Sequence, residues 1–261
     1  MSQNFVFSDE TGHWNEEEYY IRSWIVLTEE DYFILKDKME LCKKINNVRG
    51  EIKFGDGHDY SLFEDLNFEA YFTLTFCNDF KTRNFNLINQ INGQDESSLN
   101  INGRNIKEKI LNTLKNSLFL NIYEFFHIKN TLLFIKSKFP DKKFIFLIDS
   151  PQCQNNDWKD IFQEVNDNNF KLKIINRSED EIGIQFADII AGNIKKILRN
   201  LDSYLSGSKT LNNFDKKIVF NFCQNNGSSS AFLNNPQIVM WKTEHQSFVD
   251  KITRLKESCN E

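Results

Sequence analysis

A chain of 261 residues, 40% hydrophobic and 26% charged, is ordinary globular material, long enough for one large domain or two small ones, and a single domain is the preferred reading. No run nears the roughly 18–20 apolar residues of a membrane span, and the start Met-Ser-Gln-Asn-Phe lacks a basic region followed by an apolar core, so a cytoplasmic protein with no membrane partner is expected. Net charge −5 offers no general attraction for nucleic acid, and five scattered cysteines without a Cys-x-x-Cys pair argue against disulfides and zinc.

Asn4 to Asp9 reads as a short strand ending in a turn at Glu10-Thr11-Gly12, and Tyr19 to Leu27 as a second strand rich in aromatic and β-branched residues. Thr28 then looks like an N-cap for a helix over Glu29 to Lys44, which has two acids in its first turn. Gly50-Glu51-Ile52-Lys53-Phe54-Gly55 follows. Ala70 to Cys77 alternates as a strand with one buried face. Residues 78–105, rich in Asn, Ser and Gly, read as an insertion or long loop, and Ile106 to Phe139 as a helical region broken near Asn121. The apolar run Lys143 to Ile148 suits a central strand covered on both faces, with Asp149-Ser150-Pro151 at its carboxyl end. A helix at Trp158 to Val165, a strand at Lys171 to Ile175 and a helix carrying Asp188 complete an α/β order. Beyond 200 come a helix near Phe214 to Phe222, an extended piece at Ile238 to Trp241 and a terminal amphipathic helix.

Asp188 lies in an apolar helical stripe with Ile184, Ala187, Ala191, Ile194 and Leu198. An ionised carboxylate there needs a Lys, an Arg or a metal ion as partner. Three further acids stand out by position: Asp9 ending the first strand, Glu51 after the first helix, and Asp149 ending the central strand. Taken singly, Asp9 and Asp149 are ordinary turn formers and Glu51 an ordinary solvated acid beside Lys53. Together they make a site, because strand ends of an open α/β sheet gather in one crevice and a helix packed across that end can present Asp188. Clustered acids repel unless cations intervene. Hard divalent ions take oxygen ligands, and a pair of them suits in-line displacement at a phosphodiester. Two such ions would bring the net charge from −5 to about −1. Gln185 could orient a ligand or the attacking water, and Lys53 could sit against the transition-state charge; the plainer roles are a helix-surface amide and an ion pair with Glu51.

Phe-Ser-Asp-Glu-Thr-Gly at 7–12, Glu-Ile-Lys at 51–53, Phe-Leu-Ile-Asp at 146–149 and the stretch Ser178 through Gly192 resemble the motif set of the domain of unknown function 3800 family of bacteria and phages. The resemblance spans about residues 4–195 in order, with Thr11 where that family more often has Ser. It implies a ribonuclease H-like mixed sheet flanked by helices over residues 1–200; the insertion at about 78–105 and the mainly helical extension at 201–261 take no role from it. It also implies that Asp9, Glu51, Asp149 and Asp188 match an acidic metal site for magnesium or manganese, two ions being expected.

The four histidines are too scattered for a metal motif, although His13 lies four residues from Asp9, and phosphate loops and nucleophile elbows are absent. Lys195, Lys196 and Arg199, downstream on the Asp188 helix, could track a phosphate backbone into the crevice, or simply form a solvated face. The expected function is therefore a metal-dependent nuclease acting on RNA or DNA. Two alternatives stay open: a non-enzymatic component of a phage-defence or mobile-element system that binds nucleic acid or a partner protein, and a magnesium-dependent phosphatase or phosphotransferase.

Overall fold

Five strands make one mixed sheet in a computed structural model that describes residues 3–12, 19–55, 57–76, 89–90, 93, 100–101, 104–105, 118–149, 165–223 and 242–259. Strands β1 (Gln3–Thr11), β2 (Tyr19–Thr28) and β3 (Glu69–Phe76) form an antiparallel meander. After a two-residue-by-two-residue hairpin of β4 (Asn100–Ile101) and β5 (Arg104–Asn105), strand β6 (Lys143–Asp149) joins β1 in parallel and β7 (Phe170–Ile175) joins β6 in parallel. The order across the sheet is β3-β2-β1-β6-β7, which makes β1 and β6 central neighbours. β1 continues past Asp9 through Thr11 because Glu10 and Thr11 stay in register with Arg22 and Ile21 of β2, so the expected turn begins later.

Helices cover both faces. On one face lie α1 (Glu29–Ile45), α3 (Ile182–Arg199), α5 (Asn213–Phe222) and the end of α6 (Lys242–Ser258), around a core that includes Phe7, Ile21, Ile25, Leu35, Met39, Ile184, Phe186 and Phe214. The short α4 (Leu201–Leu205) follows α3 and packs on α6. On the other face Ile128, Leu132 and Ile135 of α2 (Leu118–Lys138) meet Val6, Trp24, Phe144, Phe146 and Phe170. Two cores form because successive strand side chains point to opposite faces. Thr28 caps α1 as its sequence position suggests, its hydroxyl accepting the Asp31 N–H at 3.1 Å. α2 runs without a break at Asn121, since Leu118–Lys138 holds no proline or glycine to interrupt it. Residues 106–117, the helix expected at 158–165 save Val165, the piece at 238–241 and most of 78–105 lie outside the described residues.

α3 positions the site. It packs across β1 and β2, and both glycines are needed for that approach: a Cβ at Gly183 would overlap the Phe7 ring, and one at Gly192 the Phe54 ring. The Ser23 hydroxyl of β2 donates to the Ala187 carbonyl at 2.7 Å, tying the helix to the sheet one residue before Asp188. α3 is buried on almost every side, not along one stripe, and Asp188 is one of its few half-buried positions. Among the described residues no helix is long and apolar enough to cross a membrane.

Candidate metal centre

Asp9 and Asp149 come together by register. β1 and β6 are parallel and pair through Ser8 and Ile148, so each aspartate is the next residue at the same end of its strand. Alternation puts Asp9 on the face of Phe5 and Phe7, and Asp149 on the face of Ile145 and Leu147, which is the face that α3 covers. Neighbouring strands lie about 4.8 Å apart, so the two carboxyl-bearing residues stand side by side. Asp9 is 9% exposed, and its carboxyl is pushed up to about 8 by burial first, then by the negative charges of Glu10, Asp188 and Asp149; Arg22 offsets this only in part. Three of the four sequence candidates thus share one electrostatic neighbourhood.

The fourth, Glu51, arrives on an irregular segment laid along α3. Its Oε1 accepts the Ser178 hydroxyl at 2.7 Å, and its charge helps to raise the Asp188 carboxyl. Asp188 is raised chiefly by burial; its Oδ2 accepts the Phe54 N–H at 2.7 Å, and Lys53 and Lys195 act in the lowering direction. A backbone amide is therefore the closest partner of Asp188, where the sequence called for a side-chain cation or a metal. Gln185 is fully buried rather than a surface amide: its Oε1 accepts the Ile52 N–H at 3.1 Å, while its Nε2 donates to the Ser178 carbonyl at 3.3 Å and the Glu179 carbonyl at 3.1 Å. These bonds are spent on the chain itself. Lys53 is 72% exposed, with Nζ 3.7 Å from Glu51 Oε2, so the ion pair is present but loose.

The basic residues of α3 split. Lys195, seven residues after Asp188, bears on that carboxylate, and Arg199 follows one turn later, exposed; Lys196 is rotated away toward Asp215 of α5, whose carboxyl burial raises and Lys196 only partly brings back down. His13 lies outside the described residues. Sequence reasoning missed two contributors. Ser178, which opens the α3 motif, reaches Glu51 from 127 residues away. Arg22, 1% exposed, pairs with Glu10 on the opposite face of the sheet and donates to the Ser8 hydroxyl at 3.4 Å. The signal for Arg22 was available: a period of two places it with Trp24 on the face that also takes Ser8 and Glu10.

The candidate donors are hard carboxylate oxygens, whose chemistry suits a magnesium- or manganese-type cation better than a softer metal, and burial followed by neighbouring negative charge disfavours ionisation of Asp9. Among the described residues no three such side chains converge on one point as a metal site would require. No family model matches the chain, and no curated protein is significantly similar to it. The resemblance drawn from the four motifs stands on those motifs.

Proposed function

We propose that the protein is a metal-dependent phosphodiesterase acting on RNA or DNA, built on a ribonuclease H-like fold. One observation carries the reading: Asp9 and Asp149 stand at the same end of adjacent parallel strands on one face, the charge of Asp188 on α3 acts on Asp9, and burial, with these negative charges added, holds the Asp9 carboxyl up at about 8. A protein that leaves a buried acid next to other acids has a use for cations at that place. The fold reading is supported by the antiparallel β1–β3 meander extended by parallel β6 and β7.

Asp9, Asp149, Asp188 and Glu51 would hold one or two divalent cations, which when bound supply a nucleophilic hydroxide at neutral pH and charge neutralisation at the phosphoryl oxygens. The Oδ2 atom of Asp188 already accepts one N–H, so its other oxygen is the natural ligand. Exposed Lys53 would set a positive charge at the rim, and Lys195 and Arg199 would guide the phosphate backbone along α3. The non-enzymatic reading, in which the acids serve a partner or a nucleic acid end, is favoured by the failure of any three described acids to converge.

Calorimetric titration of manganese into the full chain decides between the two. Saturable binding is expected for wild type and none for the Asp149→Asn plus Asp188→Asn variant; equal weak binding to both would overturn the metal centre. Cleavage of labelled oligonucleotides should then fall more than about 100-fold in Asp149→Asn, beyond the 10–100-fold typical of residues that only support a ligand. Turnover of a nitrophenyl phosphate ester with intact oligonucleotides would move the site to a phosphatase.

A further inference from the structure

Glu51 is the one acid of the four that no helix or strand holds. None of the described residues from Val48 to Tyr60 lies in a helix or strand, and Gly50 turns the chain with φ at +86°, so the Glu51 carboxylate would roam unless bonds from elsewhere fixed it. Ordering each such residue costs backbone entropy that other bonds must offset. Tyr60 and Asn46 supply some of the compensating bonds, and those that reach Glu51, Ile52 and the Phe54 amide come from one stretch, Ser178 to Asp188. Alternate amides of the extended segment, those of Ile52 and Phe54, donate to Gln185 Oε1 and Asp188 Oδ2, which lie one helical turn apart on α3. Gln185 does more than hold one rung. Its Nε2 clamps the carbonyls of Ser178 and Glu179, and the Ser178 hydroxyl so fixed reaches Glu51 itself. Gly192, two turns along, gives the Phe54 ring its seat.

We propose that Ser178 and Gln185 are positioning residues: acting through the 51–54 segment, they hold the Glu51 carboxylate at the cluster formed by Asp9, Asp149 and Asp188. What Glu51 does once held rests on the metal-centre reading above; that it is held does not. The spacing of Ser, Gln, Asp and Gly in this stretch is then a device for docking a loop, with Asp188 serving both the loop and the cluster.

The test uses the full chain, with Ser178→Ala, Ser178→Thr and Gln185→Met beside wild type, and two measurements: hydrogen exchange at the Ile52 and Phe54 amides, and manganese affinity by calorimetry. Gln185→Met should speed exchange at Ile52 at least about tenfold while amides of β1 and β6 keep their protection. Ser178→Ala should weaken manganese about tenfold without lowering Tm, the size expected for a group that orients a ligand, and Ser178→Thr should restore it. Ser178 is half-buried, so its variants carry the test should Gln185→Met fail to fold. Wild-type affinity in Ser178→Ala and Gln185→Met, alongside lost binding in Asp149→Asn, would overturn the positioning role and leave the metal centre standing. Should wild type itself bind no manganese, the metal-centre reading falls alone; faster exchange at Ile52 in Gln185→Met would still uphold the docked loop, and unchanged exchange would overturn it.

Discussion

Asp9 and Glu10 are consecutive residues of one strand, and the sheet treats their charges in opposite ways. Glu10 points to the α2 face, where Arg22 from the cross-strand position meets it, buried with Ser8 beneath. Asp9 points to the α3 face, where burial first and then the charges of Glu10, Asp188 and Asp149 hold its own carboxyl up at about 8. The same pair of strands therefore provides a matched cation on one side and withholds it on the other. Stability alone would favour treating both alike, because a buried acid without a cation costs several kcal/mol at neutral pH. The asymmetry is the physical ground for placing the proposed metal centre on the α3 face.

Each side of that comparison can be broken separately. Arg22→Met should be the most damaging, since it strands Glu10 in a buried site: a loss of about 3–5 kcal/mol is expected in denaturant unfolding, much of it recovered when Glu10→Leu is added. On the other face Asp9→Asn should stabilise the metal-free protein. The Asp9 carboxyl moves from 3.8 to about 8 on folding, so the native state binds the extra proton between those values and stability falls as pH rises from about 4 to about 8. At pH 7 the gain in Asp9→Asn should reach up to about 4 kcal/mol and vanish below pH 4. Saturating manganese should reverse the slope in wild type, and a wild-type pH profile identical with that of Asp9→Asn would remove the asymmetry. The smallest effect is expected for Ser8→Ala, about 0.5–1 kcal/mol in Tm-derived stability, because its contact with Arg22 is long at 3.4 Å and Glu10 remains to hold the guanidinium.

Local patterns carried most of the fold. Alternation in Ala70–Phe76, the apolar run at Lys143–Ile148 and the Thr28 cap each register in a few adjacent residues, and the corresponding elements lie where those signals put them. Asp149 was legible because a strand end is itself a local signal; Asp9 was read the same way, although β1 runs two residues further, to Thr11. What stayed hidden was non-local. Gln185 reads as a surface amide in isolation, and only the arrival of Ile52, 133 residues earlier in the chain, makes it a buried clamp. Asp188 was expected to need a cation, but an amide at Phe54 answers first, and nothing in the spacing of an apolar stripe announces which backbone will approach it. The basic triplet on α3 shows a milder version. Lys195 and Lys196 are adjacent in sequence, yet the 100° step between them sends one toward Asp188 and the other toward Asp215.

The hydroxyl of Ser23 on the Ala187 carbonyl has a meaning for anyone transplanting this arrangement. It indexes the helix against the strand, as a key indexes a shaft, so that a slip by one residue would carry Asp188 away from Asp9. The transferable unit is therefore not the α3 sequence alone but α3 together with β2, and a graft of the helix onto another sheet must bring its serine with it.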